Sequence, residues 1–259
     1  MFKSLLASLG VGSAKIDLVL SHNRIQMGEQ VTGKIVLTGG EVEQSIDELS
    51  VTFSLASSYR TDDLDIPVHE KIAHIPIFSK PFQIDAGEVK EFPFSFVCPN
   101  LIPVSSLNTR YYFKTDLEIN KGIDAEDRDF VDIIPADGLL KNFLDGFKQL
   151  GFVHHIEGYN GERLGGWQMI HFRPTSWLSG EFDEIFFMYQ PKHTLNGVSG
   201  RFELDKKTSG IFGKIADELD LDEKKGRFYF DQADLATVDQ AASTIRSFIE
   251  KHAEGLYGR

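Results

Sequence analysis

"YYFKTDLEI", residues 111–119, is the stretch on which the reading of the fold turns. Tyr111, Phe113, Thr115, Leu117 and Ile119 alternate with Tyr112, Lys114, Asp116 and Glu118. A period of two sends the two sets to opposite faces of a strand, one against a core and one into water. The same period spreads outward from here. Leu49, Val51, Phe53 and Leu55 alternate with Ser50, Thr52 and Ser54, and Phe92, Phe94, Phe96 and Cys98 line one side of another strand. Val31, Gly33, Ile35 and Leu37 form a third series, after Ile16, Leu18 and Leu20. With Ile72–Ile77 and Phe130–Ile134 this makes about seven short strands separated by turn signals, the pattern of an antiparallel β-sandwich. The polar, acidic stretch Ser57–Val68 reads as a loop between two of them.

Past Pro135 the period changes. Leu139, Leu140, Phe143, Leu144, Phe147 and Leu150 fall at helical spacing, and the junction between two domains, 1–136 and 137–259, is placed here. Strands then return at Gly151–Ile156, Trp167–Phe172, Ile185–Tyr189 and Val198–Leu204, with Phe228 and Phe230 closing the set. Ile185–Tyr189 is apolar on both faces and reads as a central strand. Ile211, Phe212, Ile215 and Leu219 suggest a short helix. Val238, Ala241, Ala242, Ile245, Phe248 and Ile249 suggest a stronger one, opened by a capping box of Thr237 and Gln240. At the other end Phe2, Leu5, Leu6 and Leu9 share one face of a short helix that Gly10 and Gly12 end.

Composition narrows the function classes. The formal charge is 27 − 39 = −12, which repels phosphate backbones and anionic membranes, so nucleic acid is not expected as a partner. Cys98 is the single cysteine, which excludes an internal disulfide framework and a Cys-rich zinc site and suits a reducing compartment. No run of about 18 apolar residues is present, so no membrane span is expected. The opening "MFKSLLASLGVGSA" begins like a signal peptide, but Ser and Gly break its apolar stretch. A cytoplasmic location is the expectation.

A search for chemistry yields no convergent set. His154 and His155 are adjacent and on a strand would point to opposite faces. His69 and His74, five apart, would do the same. Asp62-Asp63-Leu64-Asp65 and Glu126-Asp127-Arg128-Asp129 lack the glycine and terminal glutamate of a calcium loop and read as solvated loops. No G-x-S-x-G, H-E-x-x-H or G-K-S/T pattern occurs. Cys98, on a Phe-lined face, reads as buried and inert. The expectation is a protein that is not an enzyme and has no cofactor and no metal.

Three stretches carry a family resemblance in the first half. "RIQMGEQVTGKIVL" (24–37), "FQIDAGEVKEFPFSFVCPNLIPVSSL" (82–107) and "NTRYYFKTDLEI" (108–119) resemble the amino-terminal sandwich of the arrestins. With "WQMIHFRP" (167–174) and "GEFDEIFF" (180–187) of the second half, the chain resembles most closely the bacterial sporulation-control proteins, arrestin-like regulators in spore-forming bacteria. That family often carries an acidic residue before the Phe of the 167–174 strand, where His171 stands here. The resemblance implies a mainly β chain of two tandem arrestin-like antiparallel β-sandwiches with a few short helices. It also implies a regulator of sporulation, or of a related developmental process, that holds other proteins.

Binding needs a surface. Burying Phe2, Leu5, Leu6 and Leu9 would contribute roughly 6–12 kcal/mol before entropy costs, so this face either docks on the chain's own sandwich or is the candidate partner-binding site, for another protein or for a second copy of the chain as a homodimer. The rival reading is a metal- or ligand-dependent module with a site at the interdomain cleft, built from His154, His171, Asp183 and Glu184.

Overall fold

The computed structural model describes residues 12–61, 64–120, 122–206 and 223–253. The chain divides into two compact units: Met1–Ala56, His69–Pro99 and Arg110–Ile134 form the first, and Ser57–Val68, Asn100–Thr109 and Pro135–Arg259 the second. The mainly β expectation is borne out in several sheets, antiparallel among the described residues except for the parallel pairing of Arg24–Gln26 with Ala125–Ile134. Among the described residues no helix is long and apolar enough to cross a membrane.

In the first unit β1 (Lys15–Leu20), β3 (Gln30–Thr38) and β7 (Val89–Val97) form one sheet in that order. The second sheet runs β2 (Arg24–Gln26), β9 (Ala125–Ile134), β8 (Arg110–Ile119), β4 (Gln44–Thr61) and β5 (Leu64–Phe78), with β6 (Phe82–Ile84) paired to β4. Phe53, Tyr111 and Phe113 project from the larger sheet and Phe94 and Phe96 from the smaller. Their rings meet at centroid distances of 4.8–5.5 Å, and the side chains are essentially buried. These are the inward members of the alternations that the sequence shows. Pro93 lies on β7, an edge strand, where its missing N–H breaks no ladder. Gly33 is required by close approach, because a Cβ there would run into the backbone oxygen of Val19 on β1.

Two segments differ from the sequence reading. Ser57–Val68 is not simply a loop: β4 continues to Thr61 and β5 begins at Leu64. Charged residues at 60 and 65 mimic a loop, but they ride on the ends of long strands where burial is shallow. Glu126–Asp129 is likewise strand, paired with β8, and Lys114 bridges Asp116 (2.6 Å) and Glu126 (2.8 Å) across it.

The second unit carries a five-stranded antiparallel sheet, in order β10 (Phe152–Tyr159), β11 (Gln168–Pro174), β12 (Phe182–Tyr189), β13 (Gly197–Lys206) and β14 (Glu223–Asp231). The strand that is apolar on both faces, β12, is central as its sequence implies. Helices α1 (Leu139–Gln149) and α2 (Val238–Ala253) cover one face. Phe147 of α1 stacks on Phe172 at 4.1 Å and meets Phe187 at 4.9 Å, while Phe248 of α2 meets Phe202 at 4.8 Å. Among the described residues, then, helices supply the layer against this face of the sheet. The 3.6-residue spacing at 139–150 marks a core element here as well as a junction. Gly146 lets the helices touch, since a Cβ there would meet the backbone of Ala242. Half of the expected capping box forms at α2: Thr237 Oγ1 accepts from the Gln240 N–H at 3.1 Å.

Two tests follow from the first unit. Cys98 is buried, and desolvation pushes its thiol up to about 12. It should resist alkylation in the native chain and react fully in denaturant; rapid native labelling would contradict the burial. Asp129 is raised from 3.8 to about 6, by burial first and then by the charges of Asp127 and Asp17. A raised carboxyl stabilises the fold fully below pH 3.8 and loses that contribution as pH rises through about 6. Asp129→Asn should therefore melt higher than the parent above about pH 7, with the gain shrinking toward pH 4; a gain independent of pH would refute this.

Candidate functional site

The second unit carries a cleft of about 230 Å³ lined by Tyr59, Arg60, Asp65, Asn108, Glu157 and His171, among others. Gly158 makes it. A Cβ at that position would collide with the backbone oxygen of Ser58, so glycine allows the 57–60 segment to lie against β10. Ser57 Oγ accepts from the Tyr159 N–H at 3.1 Å and bonds Thr109 Oγ1 at 2.8 Å.

Asn100–Thr109 is fixed by side chains in the same way. Gln168 is fully buried. Its Nε2 donates to Val104 O and its Oε1 accepts from Val104 N, both at 3.0 Å, and the Tyr189 hydroxyl donates to the same Oε1 at 2.8 Å. Burial raises the Tyr189 phenol, which holds its proton as that donor. Glu157 is 3% exposed; its Oε2 accepts from the Leu107 N–H at 3.1 Å, and its Oε1 contacts His154 Nδ1. Burial, followed by the charge of Lys148, lowers the His154 pKa, and an ionised Glu157 would pull it the other way.

The four rival candidates are not gathered into one site. His154 packs on Phe172, on the helix-covered face, at 5.1 Å. His171, next to Phe172 in the strand, lies on the opposite face, with its ring 4.6 Å from Phe186 and its Nδ1 3.2 Å from Glu184 Oε2. One ion cannot take both histidines. The side chains of His155 and Asp183 lie outside the described residues, as do Phe2, Leu5, Leu6 and Leu9, the candidate partner-binding face, and the expected helix over 211–219. Among the described residues no group of three or more His, Cys, Asp or Glu is placed to hold a metal ion.

What the cleft offers is hydrogen bonding of both signs, from Arg60, Asp65, Asn108 and His171, beside a carboxylate whose two oxygens already have partners. That suits holding a polar group more than moving a proton. Sequence reasoning missed Glu157 and Gln168. Gln168 had a readable signal, a polar residue at inward parity with Ile170 and Phe172; Glu157 had none, because the bulge between His154 and Ile156 shifts parity just before it.

The SpoOM protein family profile matches residues 2–208, four-fifths of the chain. The chain belongs to the SpoOM family. It is 29% identical to the sporulation-control protein spo0M of Bacillus subtilis (strain 168) over 264 aligned residues, which cover 98% of this chain and 99% of that protein. The crystal structure of Spo0M from Bacillus subtilis superposes with a TM-score of 0.71 at 24% identity, covering 94% of this chain and all of that one. This second likeness bears on the fold, which the SpoOM family member described here shares.

In this SpoOM chain, Glu157→Ala should cost about 1–3 kcal/mol in denaturant melts, because it leaves the Leu107 N–H without its acceptor. Glu157→Gln, which keeps a carbonyl oxygen there, should recover part of the loss. Equal stability of the parent and the Ala variant would show that the bond contributes nothing.

Proposed function

We propose that this chain is a cytoplasmic, non-enzymatic regulator that acts by binding other proteins in the control of sporulation. One observation carries the reading: an end-to-end relationship, over 98% of the chain, to a protein described as controlling sporulation. Two features support the binding mechanism. The histidines that could serve chemistry are each paired with a nearby glutamate, and they face away from one another across the sheet. The lone thiol is buried and protonated, which suits a reducing compartment and disfavours nucleophilic work.

The polar cleft favours a second reading, a ligand-dependent module. A protein of that kind would melt lower after exhaustive dialysis and recover when the dialysate is returned; a pure protein-binding regulator would not respond.

The regulatory reading is tested by replacement. Expressed in Bacillus subtilis that lacks its own spo0M protein, this chain should move the yield of heat-resistant spores toward that of the undeleted strain. A yield indistinguishable from the deletion strain would count against a shared role.

A further inference from the structure

Arg201 on β13 and Arg227 on β14 stand directly opposite each other in the register of the second sheet. Both are exposed, on the face turned away from the helices, because their chain neighbours Phe202 and Phe228 are buried on the helical side. Directly opposed side chains on an antiparallel pair have Cβ atoms about 5 Å apart, where like charges repel. The next pair on the same face follows the usual rule: Glu203 opposes Lys225, with an ion pair at 3.6 Å. Neither arginine has a carboxylate partner among the described residues. Two cations side by side, with no carboxylate partner among the described residues, are unexpected in a chain of net charge −12.

The surroundings fit a ligand. Arg201, Arg227, Ser199 and Trp167 line an open hollow of about 320 Å³. The Arg201 guanidinium lies 6.0 Å from the Trp167 ring centroid. Tyr229, opposite Ser199 and 63% exposed, lies on the same face of the sheet.

We propose that this hollow binds a phosphoryl group. The forks of Arg201 and Arg227 and the Ser199 hydroxyl donate to its oxygens, and Trp167 packs against the group's carrier. Two adjacent guanidinium groups match a dianion better than a single carboxylate, and the planar fork suits phosphate oxygens. The overall negative field disfavours a polyanion such as nucleic acid, so the carrier is a small phosphate or a phosphorylated side chain. This inference does not rest on the regulatory reading and stands or falls separately from it.

Trp177→Phe leaves Trp167 as the single tryptophan, so its fluorescence reports the hollow. In that background, inorganic phosphate, phenyl phosphate and a phosphoserine peptide beside its unphosphorylated twin are titrated at constant ionic strength. A saturable response is expected from the phosphorylated probes and not from the twin. Peptide binding tighter than inorganic phosphate identifies a protein-borne group; equal or weaker binding identifies a free phosphate. Arg201→Gln and Arg227→Gln should each weaken binding about tenfold or more. Their melting temperatures should hold or rise, because the repulsion is gone. The absence of any saturable response, or one that both glutamine variants retain, overturns the proposal.

Discussion

Burial of one face of each antiparallel sheet is the interaction on which the rest of this structure depends. In the first unit Phe53 and Phe113 meet Phe94 and Phe96 from the facing sheet. In the second, Phe172 and Phe187 meet Phe147 from a helix. A strand can send only alternate residues to such a core, so every inward phenylalanine commits its neighbours to the opposite side. Arg201 and Arg227 face outward for no other reason than that Phe202 and Phe228 face in. The molecule's working surfaces are what this commitment leaves over.

That constraint also explains what could be read in advance. Strands with one wet face were legible: β8, with Tyr111 to Ile119, and β13, with Val198 to Leu204, appear where alternation puts them. So was the central place of β12, from its two apolar faces. The far end of β4 and the start of β5 were not, because there the difference between faces is too slight to leave a pattern, and charged residues look like loop. The role of α1 was half legible. Its period announced a helix, but nothing in 139–150 says that Phe143 and Phe147 serve as the core of a sheet formed later in the chain.

The polar cleft was harder still. His154 and His171 caught attention as residue types, yet type says nothing of which face they occupy; Phe172 lies beside His171 in sequence and so separates the two rings. Glu157, Ser57 and Thr109 come together only through contacts distant along the chain, with Ser57 and Tyr159 102 residues apart. The pairing of Arg201 with Arg227 depends on the register of β13 against β14, which no local pattern encodes.

Gln168 has a consequence beyond stability. A carboxamide presents the same donor and acceptor as a peptide group, so the chain at Val104 meets it much as it would meet another strand. Both bonds run to main-chain atoms, which every amino acid except proline can supply. These two bonds therefore do not depend on which side chain stands at 104, whereas they do depend on the carboxamide at 168. The buried Ile102, Pro103 and Val104 pack this stretch from within, and its exposed residues, Leu107 and Asn108, are the ones left open to change.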